Sequence, residues 1–190
     1  MIIINRIFCL LIIILSLAMA EQKYKEPQFS LIKKMDNIEI RQYNEYVIAK
    51  TSIPLNNDKE ENNMFMVLAS YIFGENENKQ NIPMTAPVTT FKTENSYDMI
   101  FYMLDADDIE DLPKPSGQDI VFEKFNLGKC AVISFSWFTN ESKIEKYKTM
   151  LEKFIKENKY EQISLFMVNR YDPPWRLPFL RRNEILVQIK

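Results

Sequence analysis

The feature that most constrains the fold is a set of predicted elements that occurs twice along the chain. Alternating apolar and β-branched residues predict strands at residues 29–35, 38–41, 46–53, 88–91, 98–104, 120–125, 130–138, 163–168 and 185–189. Helical periodicity predicts helices at about residues 60–73 and 143–158. The order of two strands, a helix and two strands is therefore given twice, by eight or nine strands in all, and short connections make neighbouring strands antiparallel. We predict an α+β fold, in which two pseudo-twofold duplicated halves form an antiparallel distorted β-barrel with two helices packed outside.

The two predicted helices differ in their distribution of apolar residues. The second has one apolar stripe and opens with an expected capping box, Ser142-x-x-Glu145. The first is apolar on nearly all sides, at Met64, Phe65, Met66, Val67, Leu68, Ala69, Tyr71, Ile72 and Phe73. A surface helix of a small domain normally has a single apolar stripe. The second apolar face of this helix is therefore expected to be covered by protein, a partner or a ligand.

The first twenty residues predict a targeting segment. Arg6 is their only charged residue, residues 7–17 are apolar, and Ala18-Met19-Ala20 fits a cleavage site. We interpret residues 1–20 as a signal peptide and residues 21–190 as a single domain, secreted or periplasmic, without a stable membrane span after cleavage. An uncut membrane anchor is the alternative, although an uninterrupted run of 11 residues is short for a span. The acidic, proline-containing stretch 105–118 is interpreted as a solvated linker between the halves.

Composition excludes several kinds of chemistry. The chain has no histidine, which removes histidine-based acid–base pairs and most transition-metal sites. It has three glycines and a formal net charge of −2, so neither phosphate-cradling loops nor a basic field for nucleic acid is expected. Cys130 is the only cysteine after the predicted cleavage, and its apolar strand predicts a buried core residue. No carboxylate pair resembles a glycosidase dyad.

The connection between the last two predicted strands, residues 169–184, is long and rigid. It reads N-R-Y-D-P-P-W-R-L-P-F-L-R-R-N-E, and paired prolines cannot lie in a central strand. Salt bridges expected to hold it are Arg170 with Asp172, and Arg181 or Arg182 with Glu184. Arg176 has no adjacent acid and is the best candidate for binding a ligand carboxylate. Trp175 and Phe179 offer flat apolar surface to a planar ligand, with core packing as the alternative.

Four motifs in this order give the chain a resemblance to a known family. They are Y-I-F-G-E-N from Tyr71, I-P-M-T-A-P-V from Ile82, R-Y-D-P-P-W from Arg170 and R-R-N-E from Arg181. Together they resemble the SOUL haem-binding-protein family over about residues 26–190. The resemblance implies a pseudo-twofold antiparallel barrel with two helices, and a tetrapyrrole groove between the first helix and the last loop.

The resemblance also implies ligand contacts at Phe65, Leu68, Ala69, Ile72 and Arg176. With the methionines beside the helix and the apolar residues of the loop, the candidates are Met64, Phe65, Leu68, Ala69, Ile72, Met84, Pro174, Trp175, Arg176 and Phe179. Two helix positions that are basic in some members are Asn62 and Ser70 here, which weakens a clamp for propionates. Some members are proposed to use a histidine axial ligand, which this chain lacks. Met64 or Met84, another Met, Tyr or Cys, or no protein group would then ligate haem iron.

Three functional hypotheses follow. The first is non-catalytic binding of haem or a related tetrapyrrole, as a carrier or buffer outside the cytoplasm. The second is a binding module for another apolar small molecule, such as a lipid or xenobiotic. The third is a hydrolase that uses tyrosine and glutamate residues of the groove, which the absence of a nucleophile–base pair disfavours. The oligomeric state is left open.

Overall fold

The structure, a computed structural model, describes residues 24–55, 61–117 and 119–190. The predicted signal peptide lies outside the described residues, as does the side chain of Asn62. The described chain contains strands β1 (Phe29–Met35), β2 (Ile38–Tyr43), β3 (Glu45–Pro54), β4 (Val88–Lys92), β5 (Ser96–Tyr102), β6 (Val121–Asn126), β7 (Lys129–Phe135), β8 (Met167–Arg170) and β9 (Asn183–Gln188). Its two α-helices are α1 (Glu61–Ile72) and α2 (Glu141–Glu157).

The nine strands form one antiparallel, curled sheet in the order β1-β2-β7-β9-β8-β4-β5-β3-β6. From the central pair, β4 and β8, the order outward is β5-β3-β6 on one side and β9-β7-β2 on the other. The register has the same symmetry: Thr89 pairs with Asn169, and the flanking pairs are Val88 with Arg170 and Thr90 with Val168. The pseudo-twofold axis therefore passes through this central pair, and the predicted α+β fold with duplicated halves is confirmed.

Each half has one strand that pairs with the other half. Strand β2 pairs with β7, which belongs to the second half. Strand β6 pairs with β3, which belongs to the first. The two halves are consequently interlocked within a single sheet, and neither contains all the strands of its own side.

Both helices cover the same face of the sheet. Paired residues in an antiparallel ladder lie on one face, and residues two apart share that face. Val88 and Thr90 are two residues apart on β4, and Thr90 pairs with Val168, so all three side chains lie on one face. On that face Val88 packs in the cluster beneath α1, and Val168 packs in the cluster beneath α2. A third cluster, which includes Tyr102 and Leu186, fills the opposite face. The helices therefore lie side by side, with the central strands between them.

The C-terminus of α1 is closed by the glycine of the Y-I-F-G-E-N motif. Gly74 has φ +105°, in the left-handed region that favours glycine. The Glu75 amide donates to the Ser70 carbonyl at 3.0 Å and the Gly74 amide to the Tyr71 carbonyl at 3.3 Å, as in a Schellman motif. Asn76 is buried behind this cap, where its Nδ2 donates to the carbonyls of Tyr71 (3.0 Å) and Gln80 (2.7 Å).

Replacing Asn76 by alanine is expected to destabilise the protein by about 1–2 kcal/mol, because the carbonyls of Tyr71 and Gln80 lose the hydrogen bonds donated by a buried side chain. The Gln80 amide also loses its acceptor, Oδ1 of Asn76, at 3.0 Å. Urea unfolding at neutral pH measures the change. Asn78→Ala, at an exposed position two residues later, is the matched control and should cost less than about 0.5 kcal/mol. Equal losses in the two variants would contradict this role for Asn76.

Three predictions about local structure were wrong. The first concerns the start of α2, whose N-cap is Asn140 rather than Ser142. The Asn140 side chain accepts a hydrogen bond from the Lys143 amide at 2.9 Å, which leaves Ser142 inside the first turn. The second concerns the strand expected at residues 163–168. It begins only at Met167, because Ile163 and Leu165 precede the regular pairing with β9 and are half exposed.

The third correction concerns the stretch 105–118, which is not simply a solvated linker. Pro113 is buried, and its carbonyl accepts a hydrogen bond from the Tyr71 hydroxyl at 2.9 Å. Ile109 and Leu112 pack against the cluster beneath α1. The acidic composition obscured these apolar residues, which cover the side of α1 that carries Tyr71.

Candidate functional site

A buried polar cluster anchors the long connection between β8 and β9. Glu184, at the start of β9, is 2% exposed, and Arg41 of β2 is 6% exposed. The Arg41 guanidinium donates to both oxygens of the Glu184 carboxylate at 3.0 Å. The Tyr171 hydroxyl donates to the same carboxylate at 2.6 Å. The connection is therefore attached to the sheet at both ends through one carboxylate.

The electrostatics of this cluster are dominated by burial. Burial alone lowers the pKa of Arg41, but the hydrogen bonds and charge of Glu184 outweigh that effect and raise it above its ordinary value. Burial and the Glu184 charge raise the pKa of Tyr171 well above its ordinary value. At neutral pH, Arg41 is therefore charged and Tyr171 is a neutral donor. The cluster is satisfied within itself and has a structural role.

The ion pair predicted between Glu184 and Arg181 or Arg182 was wrong. Glu184 pairs with Arg41, a residue distant in sequence, and not with Arg181 or Arg182. Arg182 instead pairs with Glu26. Sequence reasoning assumed partners within the connection, whereas the long-range pairing of β2, β7 and β9 brings Arg41 to Glu184.

Arg170 and Arg181 also make contacts other than those expected. Arg170 donates to the hydroxyls of Thr139 (2.9 Å) and Thr90 (2.8 Å) rather than pairing with Asp172. Arg181 donates to the Arg176 carbonyl at 2.9 Å. The connection is thus held by side chains that bind threonines and backbone carbonyls as well as by ion pairs.

Arg176 does have an acidic neighbour, contrary to the sequence interpretation. Its Nε lies 2.9 Å from Oδ1 of Asp172, one turn earlier, and it also donates to the Leu180 carbonyl at 3.2 Å. Asp172 accepts a further hydrogen bond from the Arg182 amide at 2.5 Å. A ligand carboxylate would have to compete with Asp172 for this guanidinium. Binding of a ligand by Arg176 stays a prediction.

The aromatic residues of the connection are exposed, which excludes the alternative of core packing. Trp175 is 79% exposed, Phe179 and Leu177 are more than half exposed, and Pro174 is also exposed. Trp137 and Phe138, which precede α2, lie beside them. We call the five apolar side chains Trp137, Phe138, Trp175, Leu177 and Phe179 the aromatic tip.

Two hydrogen bonds on Trp137 join the two segments of the aromatic tip. The Trp137 amide donates to the Pro178 carbonyl at 2.9 Å, and the Asn183 side chain donates to the Trp137 carbonyl at 2.9 Å. They hold Trp137 at φ +81°, a backbone conformation that bulky residues rarely adopt. The exposed rings therefore belong to a fixed structure.

The predicted ligand contacts on α1 are mostly core residues. The side chains of Met64, Leu68, Ala69 and Ile72 are buried against the sheet, and Met84 is partly buried against the same cluster. The sequence interpretation placed these residues around the helix, whereas the sheet and residues 105–118 together cover them. A ligand would have to displace core side chains to reach them, so their contact with a ligand stays a prediction.

The exposed side of α1 is narrower than predicted. Met66 and Phe73 are each 63% exposed, and Phe65 packs edge-on against Phe101 with ring centroids 5.6 Å apart while remaining partly exposed. The connection between β8 and β9 contacts Glu26 through Arg182, and it contacts the segment before α2 through the Trp137 amide. A groove between α1 and the connection stays a prediction.

A groove of about 1010 Å³ lies along α2. Its floor is formed by the central strands through Thr90, Val168 and Arg170, and by Ile185 of β9. One wall is the N-terminal part of α2, from Glu141 to Glu152. The opposite wall consists of Ile53, Pro54, Leu55, Lys92 and Tyr97, and Leu165 and Phe166 close one end. We call this feature the α2 groove.

The α2 groove combines apolar walls with a few placed charges. Arg170 lies in its floor, where two threonine hydroxyls orient its guanidinium, and its Nη2 makes no hydrogen bond to the part of the chain that the structure describes. Lys148 of α2 lies over the Phe166 ring, 5.5 Å from its centroid. An amphipathic ligand with an anionic end fits this arrangement, because a guanidinium can bind a carboxylate with paired hydrogen bonds.

Sequence reasoning missed the α2 groove, since α2 looks like an ordinary amphipathic helix. One signal was present in the run of residues 163–168, which contains more apolar residues than β8 needs. Leu165 lines the groove at 50% exposure, and Ile163 is 48% exposed nearby without lining it.

The remaining nucleophilic and metal-binding chemistry is limited. Cys130 is buried, as predicted, and its thiol donates to the Leu127 carbonyl at 3.2 Å. Burial raises its pKa to about 12, so the thiol is protonated at neutral pH. Among the described residues, no group of three or more cysteine, aspartate or glutamate side chains could hold a metal ion. No helix in the described ranges has both the length and the apolar character needed to cross a membrane.

These features define a duplicated α+β half-barrel with two helices on one face and an open amphipathic groove beside one of them. The family model described as "SOUL heme-binding protein" matches residues 24–188. The chain belongs to the SOUL family. No curated protein matches the sequence significantly.

Solved structures share the fold at low sequence identity. An uncharacterized conserved protein from Listeria innocua is similar with a TM-score of 0.63 and 9% identity, over 81% of this chain and 92% of that one. The C-terminal domain of EcmrR is similar with a TM-score of 0.62 and 8% identity, over 80% and 96%. A hydrolase from Listeria innocua is similar with a TM-score of 0.59 and 9% identity, over 84% and 94%. At such identities the similarity shows the fold alone.

Proposed function

We propose that the protein binds haem or a related tetrapyrrole without transforming it, as a carrier or buffer outside the cytoplasm. The observation that carries this proposal is the match to a haem-binding family across residues 24–188, nearly the whole described chain. The predicted signal peptide supports the extracellular part of the proposal. Binding of another apolar small molecule is the alternative.

The α2 groove is the placement that we propose for the ligand. Its volume of about 1010 Å³ is at the upper end of ligand pockets, which span roughly 300–1,000 Å³. Tyr97 and Phe166 can pack against a planar ring, and Arg170 can bind a propionate. The placement between α1 and the β8–β9 connection, which the family resemblance implies, is kept as a second placement with Arg176 as the propionate partner.

The described residues fit the organic part of haem better than its iron. Met64 is buried in the core, and Met84 is partly buried there. Neither lines the α2 groove, and the whole chain contains no histidine. Shape, ring packing and ion pairing would therefore hold the ligand.

Non-catalytic binding is favoured over hydrolysis by the family match, because the matching model describes a binding protein. The tyrosines of the buried clusters are also unsuited to hydrolysis. Burial is the largest cause that raises the pKa values of three enclosed tyrosines, Tyr43, Tyr102 and Tyr171. None of the three lines the α2 groove. A protonated, enclosed phenol does not act as a nucleophile or general base at neutral pH. The solved structure that is labelled a hydrolase shares the fold alone.

Haemin titration of the purified protein, followed at the Soret band, tests the proposal. We expect a saturable shift at micromolar protein. No saturable shift would overturn tetrapyrrole binding, and native mass spectrometry of a co-purified ligand would then test for another apolar molecule. A loss of affinity in Arg170→Met supports the α2 groove. A loss of about 1–3 kcal/mol in Arg176→Ala instead supports the second placement, because a charge-assisted hydrogen bond is worth that much.

A further inference from the structure

The aromatic tip is a surface that the proposed ligand placement in the α2 groove does not use. Trp175 is the most exposed large apolar side chain in the part of the chain that the structure describes. Trp137, Phe138, Leu177 and Phe179 are each more than half exposed beside it. Single exposed apolar residues are common, but a cluster of large ones marks an interaction site. None of these five side chains lines the α2 groove.

The tip is rigid before it meets a partner. Pro173, Pro174 and Pro178 restrict the backbone of the connection. The Arg176 amide donates to the Pro173 carbonyl at 3.1 Å, and the Arg181 side chain donates to the carbonyls of Arg176 and Pro174. Because the rings are presented by a fixed backbone, little conformational entropy is lost when they are covered.

Cationic side chains surround the rings. The Arg181 guanidinium lies 4.9 Å from the Phe138 ring centroid, and the Lys143 ammonium lies 5.8 Å from the Trp137 centroid. Residues 171–183 contain three arginines and one acidic residue, Asp172, although the whole chain has a net charge of −2. Asp172 pairs with Arg176, and Glu26 pairs with Arg182. Arg181 and Lys143 therefore supply the positive charge beside the exposed indole and phenyl rings.

We propose that the aromatic tip docks the protein on the surface of an anionic lipid bilayer. The rings of Trp175 and Phe179 enter the headgroup region, while Arg181 and Lys143 contact lipid phosphates. Tryptophan and cationic side chains are enriched at that interface because each has an apolar body and a polar end. Attraction between basic residues and anionic lipid adds to the burial of the rings.

A bilayer fits this surface better than a protein partner. Interface aromatics in protein complexes fill pockets that match their shape, whereas headgroups rearrange around any protruding ring. The proposal does not rest on tetrapyrrole binding.

Intrinsic fluorescence gives a direct test, since Trp137 and Trp175 are the two tryptophans of the chain. The predicted processed chain, from Glu21, is suitable because every described strand and helix and the whole family match lie within it. We expect a blue shift of tryptophan emission and co-flotation with vesicles of phosphatidylcholine that contain about 30% phosphatidylserine. Both effects should weaken with pure phosphatidylcholine, and with about 0.5 M salt, which screens the charges.

Variants identify the surface. Trp175→Ala combined with Phe179→Ala should reduce co-flotation on the order of tenfold, because two interfacial anchors are lost. Met66→Ala combined with Phe73→Ala removes two equally exposed apolar side chains from α1 and should leave co-flotation unchanged. No emission shift and no flotation with the anionic vesicles would overturn the proposal. A tip that binds only protein would give that result. Undiminished flotation of the tip variant, or equal loss in the α1 variant, would also overturn it.

Discussion

Replacing Arg41 by methionine is expected to destabilise the protein by about 3–5 kcal/mol, the usual cost of removing one partner from a buried ion pair. Arg41 donates to both oxygens of Glu184, which is 2% exposed. Without it, the carboxylate keeps the hydroxyls of Tyr171 and Ser134 but loses its counter-charge. The buried, uncompensated charge is the reason for the large expected loss.

The measurement is urea unfolding at pH 7, with two comparisons. The double variant Arg41→Met with Glu184→Met removes both charges and should recover most of the loss, since the penalty comes from the unpaired charge. Lys190→Met breaks an exposed ion pair with Glu161, 3.8 Å long, and should cost less than about 1 kcal/mol. A loss below about 1 kcal/mol in Arg41→Met would contradict the role assigned to this pair.

Replacing Leu165 by glutamate is expected to weaken haemin binding by about 2–3 kcal/mol, or roughly 30- to 150-fold. Leu165 closes one end of the α2 groove. The substitution removes the burial of a leucine side chain against the ligand, and it places a carboxylate where the ligand would exclude water. Because Leu165 is half exposed without ligand, the fold should tolerate the change.

Ile163→Glu is the matched control for this experiment. Ile163 is similarly exposed, two residues away, but does not line the groove. It should bind haemin within about twofold of the wild type, because surface changes away from the site have small effects. Soret titrations of both variants give the comparison. Equal affinities for Leu165→Glu and the wild type would argue against the α2 groove and return attention to the connection between β8 and β9.

The sequence predicted the architecture because local pattern and global fold agree in this chain. Alternation marked the strands, glycine marked the end of α1, and the repeated order of elements predicted the pseudo-twofold half-barrel. Antiparallel strands with short connections leave few arrangements, so element order alone is informative. The sequence did not predict the exchange of β2 and β6 between the halves, because pairing between strands that are distant along the chain leaves no local pattern.

The candidate site was less predictable, because its features depend on long-range contacts. Arg176 looked unpaired along the chain, but a turn brings Asp172 to it. Met64 and Leu68 looked available for a ligand, but the sheet covers them. The α2 groove forms between elements separated by about 90 residues, Ile53 on one wall and Ile144 on the other. Spacing along a helix predicts which residues share a face, not which neighbour covers that face.

The order of strands has a consequence for how the chain is made. Strand β9, the last strand of the described chain, lies between β7 and β8 in the middle of the sheet. A nascent chain that lacks it has no ladder joining β2 and β7 to the other strands, and Arg41 has no carboxylate at position 184 to pair with. The complete sheet can therefore form only after β9 has been made, although the strands on either side of it are contiguous without it.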